Sequence, residues 1–232
     1  MNSDSRKVVA VIAAAGTGKR IGGDFPKQYL KIADKPILIY TLEKFDRCHA
    51  IDEIVLVVEK EKIDLAKGLL KEWGIKKVVC IVAGGTERQD SIRCALDVLP
   101  EQAEWVAIHD GVRPFVSLEK INEVIQAGRD FGAAILAIPE KNTIKKAKDG
   151  WVEKTVLRND IWEIQTPQVF KAEWLKASYA SAFENHYYST DDAALVEQAG
   201  HRVRLVQGEE TNIKITSPAD LIVAQAFAKS SY

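Results

Sequence analysis

The feature that most limits what this chain can become is a recurrence of short, nearly continuous apolar runs at residues 8–15, 54–58, 77–82, 105–109 and 133–138. A strand with one wet face alternates apolar with polar residues. Runs rich in Val and Ile that do not alternate suit strands covered on both faces in a parallel sheet. Helical spacings lie between them. Ile37, Tyr40, Leu42 and Phe45 make one apolar stripe, with Pro36 suited to a first turn. Ile63, Leu65, Leu69 and Leu70 make a second, Ile92, Ala95, Leu96 and Leu99 a third, and Ile121, Val124 and Ile125 a fourth. Thr86 followed by Gln89 predicts a capping box at the third helix. This alternation predicts an α/β fold: an open, mostly parallel sheet with right-handed crossovers and helices on both faces. The 232 residues fit one such domain, spanning 1–232, which can bury its own core.

The alternation stops after Pro139. Residues 141–147 and 151–157 flank Lys148, Asp149 and Gly150, and Asp-Gly signals a hairpin turn. A β-hairpin arm is therefore expected at about 140–160. Its first limb carries few core-sized side chains, so it needs support, and a second subunit is the expected surface. Trp151 and Trp162 are read as packing residues. The pattern then returns to α/β, with a helix at 172–183, a helix capped by Thr190 and ended by Gly200, and a strand at 202–206. The last helix has Ser217 as N-cap, Pro218 in its first position and Asp220 in its third.

Composition removes several function classes. Lys and Arg total 32 against 33 Asp and Glu, so no global field holds nucleic acid or an anionic membrane. Cys48, Cys80 and Cys94 lie far apart, outside any metal-ligand spacing. Reduced thiols, a polar start and no apolar span of membrane length lead to the expectation of a cytoplasmic protein.

The chemistry-bearing motifs sit at the ends of the expected strands. The first strand runs into Gly16, Thr17, Gly18, Lys19 and Arg20, then Pro26, Lys27 and Gln28. A glycine-rich turn at the end of a first parallel strand is where open α/β sheets bind ligands, and these cations suit phosphate. A dinucleotide fingerprint from Gly16 would need glycine at Ile21, and a Walker loop from Gly18 would need lysine at Asp24. Gly84, Gly85, Thr86 and Ser91 follow the third strand and fit a capped helix as well as a nucleotide turn. His109, Asp110, Gly111 and Arg113 end the fourth. Asp110 there suits a metal or a ribose hydroxyl, and Arg113 a phosphate or a carboxylate, while an internal Asp–Arg pair is the structural alternative. His109 alone reads as a hydrogen-bonded core histidine. The run 190–192 reads equally as an acidic helix start. Lys214 lies in a short run expected to be a strand, where its own spacing favours an exposed edge.

Together the motifs resemble one family. Ala-Ala-Gly-Thr-Gly-x-Arg, Pro-Lys-Gln-Tyr, Gly-Gly-Thr-Glu-Arg, His-Asp-Gly-Val-Arg-Pro, Thr-Pro-Gln-Val-Phe, Thr-Asp-Asp-Ala and Asn-Ile-Lys-Ile-Thr occur in the order found in the 2-C-methyl-D-erythritol 4-phosphate cytidylyltransferases. The resemblance covers nearly the whole chain and implies a Rossmann-like nucleotidyltransferase. It implies attack of a polyol phosphate on the α-phosphate of CTP, pyrophosphate as leaving group, Mg²⁺ assistance and no covalent intermediate. On the same ground Arg20, Lys27 and Lys214 match the catalytic cations. Ala14, Ala15, Gly16, Gly85, Thr86, Ser91 and Gly111 match nucleotide contacts. Asp110, Arg113, Thr166 and Thr190 match substrate contacts, and Thr143 and Arg158 match residues that a homodimer's arm delivers to the neighbouring site. Ribitol-5-phosphate cytidylyltransferases share most of these motifs, and residues 166–170 lie nearer the methylerythritol branch. A catalytically silent nucleotide-binding regulator is the alternative of another class, opposed by the presence of both Lys27 and Lys214.

Overall fold

The computed structural model describes residues 7–16 and 26–230. Along the chain, β1 (Lys7–Ala14) leads to a short 3-10 turn (Lys27–Tyr29) and a small ribbon, β2 (Lys31–Ile32) and β3 (Lys35–Pro36). Then come α1 (Ile37–Arg47), β4 (Glu53–Val58), α2 (Ile63–Glu72), β5 (Val78–Ala83), α3 (Arg88–Leu96), β6 (Ala103–Asp110) and α4 (Leu118–Phe131). The second half holds β7 (Ala133–Pro139), β8 (Ile144–Lys148), β9 (Trp151–Val156), β10 (Trp162–Lys171), α5 (Ala172–Glu184), α6 (Asp192–Gln198), β11 (Arg204–Gln207) and α7 (Pro218–Ser230).

The main sheet has seven strands in the order β11-β7-β10-β6-β1-β4-β5. The apolar runs do not alternate because both faces are covered. Val8, Ala10, Ile12 and Ala14 enter one core with Leu56 and Phe45, and Val9 and Val11 enter the other with Ile92, Phe170 and Leu175. Within this seven-stranded sheet every strand pair is parallel except those made by β10, which is antiparallel to both β6 and β7. The sequence pattern did not announce this strand. Pro167 interrupts it, and its register slips between Ile164 and Gln168.

Several expected boundaries move. The capping box of α3 is made by Glu87 and Asp90 rather than Thr86 and Gln89, with Asp90 Oδ2 accepting from the Glu87 amide at 3.0 Å. Gln89 is occupied elsewhere, donating to the Tyr187 carbonyl and accepting from the Ser189 amide. Asp191, not Thr190, caps α6, its carboxylate accepting from the Ala194 amide. Leu65 of the second stripe is exposed, so Ala66 is the buried member of α2. The α7 cap is as expected: Ser217 Oγ accepts from the Asp220 amide, and Asp220 Oδ2 accepts from the Thr216 and Ser217 amides. Residues 212–216 have no regular secondary structure instead of the expected strand, and are tied just beyond the end of β6 by Ile215 N donating to Val112 O at 3.0 Å. The hairpin β8–β9 forms its own two-stranded sheet. Its turn uses Asp149 and Gly150 with φ of 51° and 84°, the left-handed pair that a tight hairpin requires.

Candidate active site

From β1 the chain steps to β4 and β5 on one side, then returns to β6 on the other. That reversal opens a crevice at the carboxyl ends of the strands, the position where open α/β sheets take ligands. It is a cleft of about 590 Å³, walled by residues 13–16, 59–61 and 84–88 with Lys27, Gln28, Ser91, Asp110, Val112 and Lys214. The volume suits a nucleotide-sized ligand.

The glycine turns shape its walls. A side chain at Gly84 would stand 2.3 Å from Ala15 Cβ, so the β5 turn closes against the end of β1 only without one. Ser91 Oγ accepts from the Gly85 amide at 3.1 Å and donates to the Glu87 carbonyl at 3.0 Å. Ser91 therefore braces the turn, while Thr86 is exposed on the cleft wall. Lys27 is 9% exposed, at the start of the 3-10 turn. Its neighbour Gln28 ties that turn to β1, donating to the Ala14 carbonyl at 2.7 Å.

Asp110 ends β6 inside a cage of cations. Lys214 Nζ lies 2.8 Å from Oδ2, Arg113 Nε 3.5 Å from Oδ2 and Arg88 Nε 3.4 Å from Oδ1. Burial pushes this carboxyl's pKa up, but Arg88, Lys214 and Arg113 outweigh burial and hold it well below the usual carboxylate range. Lys214 is thus a cleft cation anchored on Asp110 rather than an edge residue. The anchored segment around it explains the difference: Arg113 Nη1 donates to the Asn212 carbonyl at 2.6 Å, and Asn212 Nδ2 donates to the Thr166 carbonyl at 2.9 Å.

Behind Asp110, Thr166 Oγ1 accepts from the Asp110 amide at 3.1 Å and lies 2.9 Å from His109 Nδ1. His109 Nε2 faces the Arg113 carbonyl at 3.0 Å. A carbonyl only accepts, so Nε2 carries the proton and Nδ1 accepts from the threonine hydroxyl. Burial lowers the His109 pKa to about 4, which keeps this neutral tautomer in place.

The structure thus brings Ala14, Ala15, Gly16, Lys27, Gly85, Thr86, Ser91, Asp110 and Lys214 to one cleft. Gly111, Arg113 and Thr166 stand outside its lining, Gly111 packed on β1 and the other two hydrogen-bonded behind Asp110. Thr190, Thr143 and Arg158 are exposed and outside its lining, and Arg158 Nη1 donates to the Lys141 carbonyl. Arg20 lies outside the described residues. Arg88 and Asn212 were not singled out from the sequence, although each sat inside a motif that was. Nothing in spacing distinguishes them; their roles come from partners far along the chain.

Among the described residues no three His, Cys, Asp or Glu side chains converge on a metal position. Both oxygens of Asp110 already face cations, so Asp110 does not fit a divalent-ion ligand.

Comparison with known proteins gives the family. The sequence model of the 2-C-methyl-D-erythritol 4-phosphate cytidylyltransferase family matches residues 8–230. A protein of that name from Syntrophus aciditrophicus is 45% identical over 96% of this chain and 96% of its own. Another from Alkaliphilus metalliredigens is 43% identical over 94% of this chain and 92% of its own. The crystal structure of 4-diphosphocytidyl-2C-methyl-D-erythritol synthase from Anaerococcus prevotii superposes with a TM-score of 0.86 at 35% identity, covering 97% of both chains. With the motifs, the cleft and full-length similarity in agreement, the chain belongs to the 2-C-methyl-D-erythritol 4-phosphate cytidylyltransferase family.

Proposed function

We propose that this chain transfers CMP from CTP to 2-C-methyl-D-erythritol 4-phosphate and releases pyrophosphate, in the non-mevalonate synthesis of isoprenoid precursors. The observation that carries the reading is one cleft at the sheet's switch point onto which both Lys27 and Lys214 open. An acceptor phosphate oxygen attacks the α-phosphorus, the bond from that phosphorus to the bridging oxygen breaks, and pyrophosphate leaves with the bonding pair. Such a transfer needs alignment and neutralisation of the charge on the α-phosphate oxygens. Lys27 and Lys214 supply the charge, with Arg20 assigned to the same task by family resemblance. Asp110 holds Lys214 in place.

The nucleotide is assigned to the walls formed by Ala14, Ala15, Gly16, Gly85 and Thr86, with Ser91 bracing them and Gly111 allowing close packing behind. Arg113 and Thr166 support the acceptor side by fixing Asp110, and Thr190 is assigned to its rim. Thr143 and Arg158 are exposed and outside their own cleft's lining, which favours delivery to a partner's cleft in a homodimer. Mg²⁺ would arrive on the triphosphate, since no carboxylate set among the described residues fits it. We read residues 1–232 as one domain with the arm at about 140–160. No helix among the described residues is long and apolar enough to cross a membrane, and a cytoplasmic location is proposed on the family's chemistry.

Pyrophosphate release from CTP, with equal methylerythritol phosphate and ribitol phosphate in competition, tests the reading. The methylerythritol compound is expected to be consumed strongly in preference. Preference for the ribitol compound would overturn the acceptor, and no release with either would favour the silent regulator.

A further inference from the structure

Asp192 opens α6 and is 1% exposed, yet it is outside the lining of the cleft. Its two oxygens have different partners. Oδ2 accepts from Arg88 Nη2 at 2.7 Å, and Oδ1 accepts from the hydroxyl of buried Tyr179. Arg88 does line the cleft and turns its Nε toward Asp110 Oδ1 at 3.4 Å. The other oxygen of Asp110 holds Lys214 Nζ at 2.8 Å. A continuous chain of contacts therefore runs from α5 through Asp192, Arg88 and Asp110 to Lys214.

Two buried carboxylates share one guanidinium in this chain. A guanidinium prefers to meet a carboxylate through two parallel N–H bonds. Here the Nη2 side is taken by Asp192, so Asp110 receives only the Nε side, at the longer distance. Burial lowers the Arg88 pKa, and the attraction of Asp192 and Asp110 outweighs it and raises the value above its ordinary level. The guanidinium thus stays charged between them.

We propose that Asp192 is a positioning residue for the transfer: by occupying the Nη2 side of Arg88 it prevents a two-point Arg88–Asp110 contact and so keeps Asp110 for Lys214. Without it, Arg88 closes on Asp110 as a fork and competes with Lys214. The ammonium then loses its anchor at the reacting phosphate. The kinetic part of this inference rests on the role of Lys214 proposed above. A buried ion pair that serves stability alone is the competing account, and it lowers the melting temperature without singling out turnover.

Asp192→Asn removes the charge and keeps the shape. It is expected to lower kcat about tenfold to a hundredfold while the acceptor KM changes less than about threefold. In an Arg88→Gln background the same substitution is expected to change kcat less than about twofold, because the coupling passes through Arg88. Equal fold-losses in both backgrounds, or full kcat with only a lower melting temperature, would overturn the proposal. If Asp192→Asn does not fold, Tyr179→Phe removes one bond to the carboxylate and is expected to lower kcat about twofold to fivefold; unchanged kcat there counts against it. A crystal structure of Asp192→Asn, or of Tyr179→Phe if only that folds, separates this failure from failure of the activity itself. The Asp192→Asn structure should show Arg88 forked on Asp110 and Lys214 Nζ beyond hydrogen-bond distance, and Tyr179→Phe a shorter Arg88–Asp110 contact. An unchanged Asp110–Lys214 contact in Asp192→Asn, or an unchanged Arg88–Asp110 contact in Tyr179→Phe, overturns the relay whatever the wild-type turnover is.

Discussion

His109 has no exposed surface, lies against the Phe45 ring with centroids 4.7 Å apart, and spends both nitrogens on the residues that fix Asp110. Its environment has a measurable consequence. The folded pKa is about 4, below the ordinary histidine value of 6.5, because burial disfavours the cation. The unfolded chain therefore binds more protons between those values, and stability falls as pH drops from about 6.5 toward 4. The full contribution is on the order of 3 kcal/mol, with more than half lost by pH 5. Asp110 has a lowered pKa, so its contribution is lost only below the ordinary carboxylate range and leaves this window clear. His109→Gln keeps a donor for the Arg113 carbonyl and an acceptor for Thr166 but removes the titration. Urea denaturation at pH 7 and pH 5 should show a smaller loss for the variant than for the wild type. Equal losses would place the pH dependence elsewhere.

At the scale of elements, the nucleotide walls depend on how two strand ends approach. The β1 end and the β5 turn meet at Ala15 and Gly84, and a methyl group on Gly84 has no room beside Ala15 Cβ at 2.3 Å. Neither partner is a flexible side chain tip, so the turn itself has to move. Gly84→Ala is expected to cost about 1–3 kcal/mol of stability. It is also expected to weaken CTP binding about tenfold or more, because Gly85 and the bracing Ser91 move with the turn. Denaturation and calorimetric CTP titration check both, and near-normal affinity would show that the turn can slide without closing the cleft. The one-residue shift of the α3 cap belongs to the same design. With Glu87 and Asp90 satisfying the helix start, Thr86 is released to the cleft wall.

At the scale of the whole molecule, the arm is the unresolved demand for a partner. Trp151 is 80% exposed, Leu157 is 83% exposed and Val152 is exposed beside them, which is costly apolar surface on a two-stranded ribbon. A twofold partner that covers this surface would also receive Thr143 and Arg158. Mixing inactive Lys27→Ala with inactive Arg158→Ala tests it. If sites are shared, a heterodimer rebuilds one intact site from two chains, and random exchange restores about a quarter of wild-type sites. No recovery with verified heterodimers would return Arg158 to its own subunit or remove it from the chemistry.

The sequence by itself determined the parallel framework and the set of cleft motifs. Unbroken Val and Ile runs admit few environments other than a sheet covered on both faces, Gly84 and Gly85 follow β5 directly in the chain, and Asp110 ends β6. Local order was enough for these because the strand carries its following turn to a fixed place. It was not enough for β10, where Gln165, Thr166 and Gln168 break the apolar pattern of an inner strand. All three are buried, and their polar atoms are met by Glu209, His109 and Asp191. It was not enough for Lys214 either, whose place depends on Asp110, more than a hundred residues earlier. Nor could it reveal that Arg88 is divided between Asp110 and Asp192. Hydrogen bonds and ion pairs between distant segments leave no periodic trace in a sequence, and only the closed tertiary structure decides which charges meet.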